Sequence, residues 1–209
     1  MANTSSDPAT TDLLMKFVLG NDAVAAECQL SIDARDTLMQ DFQAGKFFEL
    51  EDFELGLSVR EEDKGKGPFS QPAAGGTPAP LVKGAFAGFW KFSEDNFKEI
   101  YPVEFDTFSF TRLVDRASPI FLECCCNSKS FASATLIKRR SAGALGARAF
   151  LRMDFTDVLI TGVAWGDGAL AKEKTSFICR GAKVVYKRQK PDGTFAPSAT
   201  AEWSEPRDG

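Results

Sequence analysis

Five cysteines are the side chains best suited to chemistry in this chain: Cys28, Cys124, Cys125, Cys126 and Cys179. An odd number argues against a framework of disulfides. There is no CxxC pair, and three consecutive thiols cannot all face one metal ion, because neighbours on a helix point about 100° apart. Two readings remain. Either the thiols are small apolar packing residues, or one of them is an activated nucleophile or redox centre. The chain contains no histidine. That removes Ser-His-Asp and Cys-His nucleophile pairs, histidine zinc sites and HExxH proteases. Aspartates and glutamates are plentiful but scattered, with no spacing that pairs them. Gly65-Lys66-Gly67 lacks both the GxxxxGK[ST] spacing and the following helix of a phosphate loop. The expectation is a protein without catalytic, cofactor or metal sites.

Charge points the same way. With 25 Lys and Arg against 29 Asp and Glu, the formal charge is −4. No basic excess is present to neutralise phosphates, which argues against nucleic acid as a partner. Two local basic runs, Lys138-Arg139-Arg140 and Lys187-Arg188-Gln189-Lys190, sit at the ends of predicted strands, where solvated or salt-bridged edges are common. The start, MANTSSDPATTDLL, has neither a basic n-region nor an apolar h-region. No apolar run reaches the length of a membrane span. Folding in the cytoplasm is expected, with any export left to another machine.

The elements that hold these residues read as β. Hydrophobic residues make up 44%, and 19 Phe stand against 2 Tyr, so most rings are expected to fill a core or a subunit interface. Residues 1–11 read as a disordered tail, 12–195 as one domain, and 196–209 as a polar C-terminal tail. Leu14 to Leu19 reads as a strand ending at Gly20-Asn21-Asp22, and Ala25 to Ile32 as a second short one. From Asp52 to Arg60, Phe53, Leu55, Leu57 and Val59 alternate with Glu54, Gly56, Ser58 and Arg60, the pattern of one half-buried strand. The Gly- and Pro-rich stretch from Glu61 to Gly84 reads as a long loop, either a contact loop or a tolerated insertion. An aromatic-rich segment follows over 86–105. Alternation resumes over Asp106 to Val114, with Phe108, Phe110, Arg112 and Val114 on one face and Thr107, Ser109, Thr111 and Leu113 on the other.

A helix is predicted next, with Ser118 as N-cap, Pro119 at its first position and Ile120, Phe121, Cys124 and Cys125 as its packing stripe. Strands are then expected over Ser133 to Arg139, Ala147 to Phe155, Val158 to Trp165 and Thr175 to Lys187, the last with a slip at Gly181. Many strands with one short helix on the side imply a mainly β fold, an antiparallel barrel or two-sheet barrel.

From Phe108 onward this order resembles a known family. The block FSFTRLVDRASPIFLECCCNSKSFASATLIKRR is similar to the tube protein of the type VI secretion system, the haemolysin-coregulated protein family. Asp115, Ala117, Ser118 and Pro119 stand where that family opens its helix. FLRMDFTDVLITGVAWGDG and EKTSFICRGAKVVYKRQKPDGTF continue the likeness through Asp157, Val158, Glu173, Phe177, Lys183, Tyr186, Asp192 and Gly193. The chain departs from the family in its long stretch from Glu61 to Asp106, and in Phe53 and Leu55, which replace an aromatic pattern with Trp.

The resemblance implies a β-barrel subunit that forms homohexameric rings, stacked into the inner tube of a contractile apparatus. Sheath and spike proteins would be its partners, effector proteins its cargo, and secretion without a signal peptide its route. Phage tail tubes and other contractile injection systems share the barrel, and a thiol-based enzyme is the alternative of a different class. An assembling subunit needs sheet edges and reaching loops. Phe53, Leu55, Leu57 and Val59 on the first long strand, and Lys64 and Lys66 in the loop, are the candidate assembly contacts. An ordinary strand edge and a floppy loop are the alternative reading of the same residues.

Overall fold

The computed structural model of the chain describes residues 11–59, 103–105, 107–141, 147–166, 170–190 and 194–204. The chain divides into two compact units, one of residues 1–55 and 107–209 and one of residues 56–106. The first unit begins with β1 (Thr11–Leu19), β2 (Asp22–Ala23), β3 (Phe48–Glu49) and β4 (Asp52–Glu54). It continues with β7 (Phe108–Leu113), α1 (Ser118–Cys126), β8 (Phe131–Ser141) and β9 (Ala147–Gly166), then β10 (Lys172–Ile178), β11 (Gly181–Tyr186) and β12 (Ala199–Ser204). In the second unit the described residues form one antiparallel pair, β5 (Leu57–Val59) with β6 (Val103–Phe105).

All ladders are antiparallel. The order β2-β1-β8-β9-β10-β7-β4 is joined by β3 on β1, β11 on β9 and β12 on β11. The long strand β9 belongs to two layers. Its first half pairs with β8 and β11, and its second half from Leu159 pairs with β10. The change of partner falls at Asp157, whose φ of 51° is a left-handed conformation inside a strand. Two strands expected over Ala147 to Phe155 and Val158 to Trp165 are therefore one, bent rather than broken. Among the described residues the ladders do not close. The fold is the expected antiparallel sheet with a short helix, open rather than a sealed barrel.

Phenylalanine fills the space between the layers. Phe17 of β1 lies at its centre, with ring centroids 4.9 Å from Phe121 of α1, 5.1 Å from Phe131 of β8 and 5.9 Å from Phe177 of β10. Phe108 and Phe110 of β7 and Phe155 of β9 complete the cluster, all buried. The predicted alternation is observed along β7, with Phe108, Phe110 and Arg112 facing inward, whereas Val114, expected on the same face, lies beyond the strand and is exposed. Burying rings on this scale contributes about 1.5–3 kcal/mol each relative to exposure, which makes this cluster the main cohesive force of the unit.

Five local expectations are corrected. Ala25 to Ile32 is not a strand. Val24 and Ala26 are buried, and the backbone from there to Gly45 is held by Ala26 N–H to Gly45 O and Gly45 N–H to Cys28 O, each at 2.8 Å. Its apolar residues instead cover the second face of β1, β8 and β9, where Leu38, Met39, Phe42 and Phe47 pack on Leu14, Ile137 and Ala149. The strand expected from Asp52 to Arg60 is split into β4 and β5, the pairing of β4 with β7 ending at Glu54 opposite Ser109, and Gly56 interrupts the pattern. Ser118 is the first residue of α1 rather than its cap. The cap is Ala117, which makes no side-chain capping bond. Finally, Thr175 to Lys187 is two strands meeting at a turn before Gly181. Within the polar stretch 196–209, residues Ala199–Ser204 add β12 to the edge of β11.

Candidate assembly surface

The sequence-predicted contact residues are placed as follows. Phe53 on β4 is half-buried and stacked on Phe108, with centroids 5.6 Å apart and planes within 7°. Leu55 is half-buried beyond the end of β4. Leu57 and Val59 lie on β5, opposite Phe105 and Val103. The four are thus not on one strand, and they are divided between the two units. Lys64 and Lys66, with the whole stretch from Glu61 to Gly84, lie outside the described residues.

What the strands leave open defines the surface. Among the described residues, β4 pairs only with β7, and β12 only with β11. Along its other side each has no partner among the described residues, as is true of the two-residue strands β2 and β3, and such a side is a template for another strand. Asp52 and Glu54 on β4 are exposed, and so are Ala199 to Glu202 on β12, where only Trp203 is half-buried. An edge strand that buries so little of its own side chains gains little from the fold it belongs to.

Next to these edges, one end of the β7/β10 ladder is fixed by a buried charge cluster. Arg112, fully buried, donates from Nε to Glu173 Oε1 at 3.0 Å and from Nη2 to Ser118 Oγ at 3.0 Å, and pairs through Nη1 with Asp115. Its guanidinium lies 4.4 Å from the centre of the Phe48 ring and 5.0 Å from that of Phe121. Glu173, also fully buried, accepts from Thr175 Oγ1 at 3.0 Å and from Trp165 Nε1 at 2.9 Å. Asp115 Oδ1 accepts the Ala117 N–H at 2.8 Å, and Ser118 Oγ accepts the Asp115 N–H at 3.2 Å. Ser118 is thus spent on the turn and the arginine, which is why it does not cap the helix. The cluster ties α1 to β7, β9 and β10 and holds the exposed indole of Trp165 in one orientation. The sequence marked Arg112, Asp115, Ser118 and Glu173 individually. Their convergence needed the β7/β10 register.

A second ionic cluster pins the 24–47 segment to the sheet. Lys16 pairs with Asp41, which also accepts from Arg152 Nη1 at 2.6 Å, and Arg152 pairs with Asp154. Burial alone would raise the Asp41 carboxyl, but hydrogen bonds from Arg152 and Lys16 outweigh it and hold it at about 2.

The thiols do not converge. Cys124 is buried in α1, Cys125 half-buried, Cys126 exposed, and all five are free. Burial raises the Cys28 and Cys124 thiols above their usual value and pushes Cys179 up to about 11. These three are therefore neutral and weakly nucleophilic at neutral pH. The expected packing stripe of α1 holds for Phe121 and Cys124, with Ile120 and Cys125 at its margins. Among the described residues no group of three or more Cys, Asp or Glu could hold a metal ion, and no helix is long and apolar enough to cross a membrane.

Residues 94–186, a little under half of the chain, match the family described as "Type VI secretion system effector, Hcp". No curated protein matches the sequence. Solved structures are similar in fold. One is a type six secretion system protein, 17% identical with a TM-score of 0.60, covering 93% of this chain and 96% of that one. Hcp1 from Salmonella typhimurium is 16% identical with a TM-score of 0.53, covering 93% and 94%. A type VI secretion system effector from Yersinia pestis is 15% identical with a TM-score of 0.53, covering 92% and 99%. The resemblance read from the sequence therefore holds at two levels, in the family match over 94–186 and in a shared fold along nearly the whole chain.

Proposed function

We propose, from a chain whose residues 94–186 match the Hcp family and whose fold is that of Hcp structures, that it is a subunit of the inner tube of a type VI secretion apparatus. It works by binding copies of itself. Six copies form a ring, rings stack into a tube inside a sheath and beneath a spike, and the lumen carries effector proteins out of the cytoplasm. The observation that carries this reading beyond the family match is the pair of open sheet edges, β4 and β12, on a unit with a dense core of its own. A fold with a buried phenylalanine cluster, in which β4 and β12 each have one partner strand among the described residues, is suited to pairing with neighbours.

Within this reading, Phe53, Leu55, Leu57 and Val59 contribute to contacts within a ring, and Lys64 and Lys66 to contacts between rings. The function is structural, and no catalytic step is assigned to any residue.

The test is the native mass of the purified protein, with negative-stain images. Rings of six copies with a central hole, or stacks of them, are expected. A monomer at all accessible concentrations overturns the assembly reading. Deleting residues 61–84 separates the two kinds of contact, with rings expected to persist and stacking to be lost.

A further inference from the structure

The two basic runs of the sequence, remote from one another along the chain, meet in space across β9. Lys138 on β8 lies opposite Leu151 of β9, which lies opposite Tyr186 at the end of β11. Arg140 pairs in register with Arg148, and the Lys187 N–H donates to Phe150 O at 2.8 Å. Phe150 is the residue skipped where the β8/β9 register shifts. Its ring carries the Arg140 guanidinium at 4.9 Å and meets Tyr186 edge-on at 6.4 Å. One end of this sheet therefore brings Lys138, Arg140 and Arg188 near two aromatic rings, while Arg148 pairs with Asp33 at 3.7 Å and Lys187 donates to Thr37 Oγ1 at 2.6 Å on the 24–47 segment. Arg140 and Arg188 are exposed. Among the described residues neither forms an ion pair.

Such a concentration of one sign is unexpected on a chain of net charge −4. Asp33 answers Arg148, and the unpaired acids lie on another element. Asp52 and Glu54 project from β4 on the side of Thr111 and Ser109, exposed and without an ion pair among the described residues. Their strand is one of the two open edges. A basic, aromatic patch and an acidic open edge on the same molecule are complementary to each other. Because they lie on different elements, they suit a head-to-tail contact between copies, in which each molecule offers one surface of each kind.

We infer that the patch around Arg140 and Arg188 receives the acidic edge strand β4 of a second copy. This rests on the assembly reading above and names the surfaces that carry it. The aromatic rings supply the desolvated floor of the contact, and the charges select the partner's edge and its direction.

Charge exchange tests this. Arg140→Glu/Arg188→Glu and Asp52→Lys/Glu54→Lys are each expected to raise the concentration for half-assembly roughly tenfold or more, since several attractions become repulsions. Combining all four substitutions in one chain restores opposite signs across the contact and is expected to recover most of the assembly. The milder Arg140→Gln/Arg188→Gln weakens it less. Raising the ionic strength from about 0.15 M to about 1 M shortens the Debye length from about 8 Å to about 3 Å and should weaken the unaltered protein. Circular dichroism identical to that of the unaltered protein identifies variants that remain folded.

If the unaltered protein assembles and either charge-reversed pair assembles equally well, this inference fails and the assembly reading stands. Failure of the four-fold variant to recover, while it remains folded, also overturns it. An unaltered protein that never assembles overturns both. Binding of a mixed-sequence DNA duplex that is lost in Arg140→Glu/Arg188→Glu, with assembly unmoved, assigns the patch to a polyanion and overturns the contact between copies.

Discussion

At the scale of single residues, the two ionic clusters make opposite demands on the fold. Arg112 is fully buried with two carboxylates, Glu173 and Asp115, so its removal leaves negative charge with no counterion in a low-dielectric site. Breaking a buried pair from one side costs about 3–5 kcal/mol. Arg112→Leu is expected to lower stability by that order, read from urea unfolding at one fixed protein concentration. Arg112→Leu/Glu173→Leu should be less destabilised than the two single changes added together, because it removes the uncompensated Glu173 charge. Equal additivity would mean that the pair is not coupled. Asp41 is the surface counterpart, held at about 2 against an ordinary 3.8 by Arg152 and Lys16. A carboxyl whose folded value lies below its unfolded one contributes stability in full above 3.8 and loses it as pH falls toward about 2. The difference in unfolding midpoint between the unaltered protein and Asp41→Asn should therefore shrink through that window. A difference that stays constant with pH would place the stabilising role in Asp41's shape rather than its charge.

At the scale of elements, the crossing of β9 between layers controls the fold. Thr156, just before the bend at Asp157, lies opposite Gly181 of β11, and a methyl added at Gly181 would stand 2.6 Å from Thr156 Oγ1. Thr156 can yield only through the one χ1 rotamer that turns its Cβ hydrogen toward Gly181, since the other brings its methyl into the space vacated by its hydroxyl. Gly181→Ala should destabilise by about 1–3 kcal/mol, as overpacking does, and Gly181→Ala/Thr156→Ala should recover most of it because Thr156 is exposed. A thermal melt of the three variants decides this. The slip at Gly181 was legible from the broken alternation around it. The continuity of β9 was not, because Asp157 in a left-handed turn looks in sequence like the end of a strand. Strong alternation on β7 and the Pro119-led helix were legible, since each is a local pattern. Ala25 to Ile32 misled because an apolar run reads the same whether it joins a ladder or lies as cover across one. β12 was missed for the converse reason, as its exposed residues carry no apolar face to mark a strand. The assembly candidates Phe53, Leu55, Leu57 and Val59 share a sequence period but not a strand, and no local rule foresees that the ladder with β7 ends at Glu54. The Arg112 cluster required a register between residues 61 positions apart, which a single sequence does not contain.

At the scale of the whole molecule, β12 poses the sharpest question. It pairs with β11 along six residues, yet all of its residues are exposed except the half-buried Trp203. Its contribution to the isolated subunit is therefore small, resting mainly on one ladder, the half-buried Trp203 and the exposed Lys183–Glu202 pair at 3.4 Å. Its removal would move the open edge from β12 to β11, whose Gly181 and Ala182 are buried and whose Val184 and Val185 are half-buried. A chain ending at Ser198 is thus expected to fold, with circular dichroism close to that of the full chain and a modest loss of thermal stability. Its assembly should change far more, because the edge that meets a neighbour would lie about 4.8 Å further in and carry different side chains. Native mass and negative-stain images of the truncated and full chains, at matched concentrations, make the comparison. Rings identical to those of the full chain would mean that β12 lies outside the contacts and that β4 is the edge that matters. Loss of the folded signal itself would mean that β12 is part of the subunit's own core support, contrary to its exposure. Monomers or irregular aggregates with the fold intact would identify β12 as an edge kept for the neighbour.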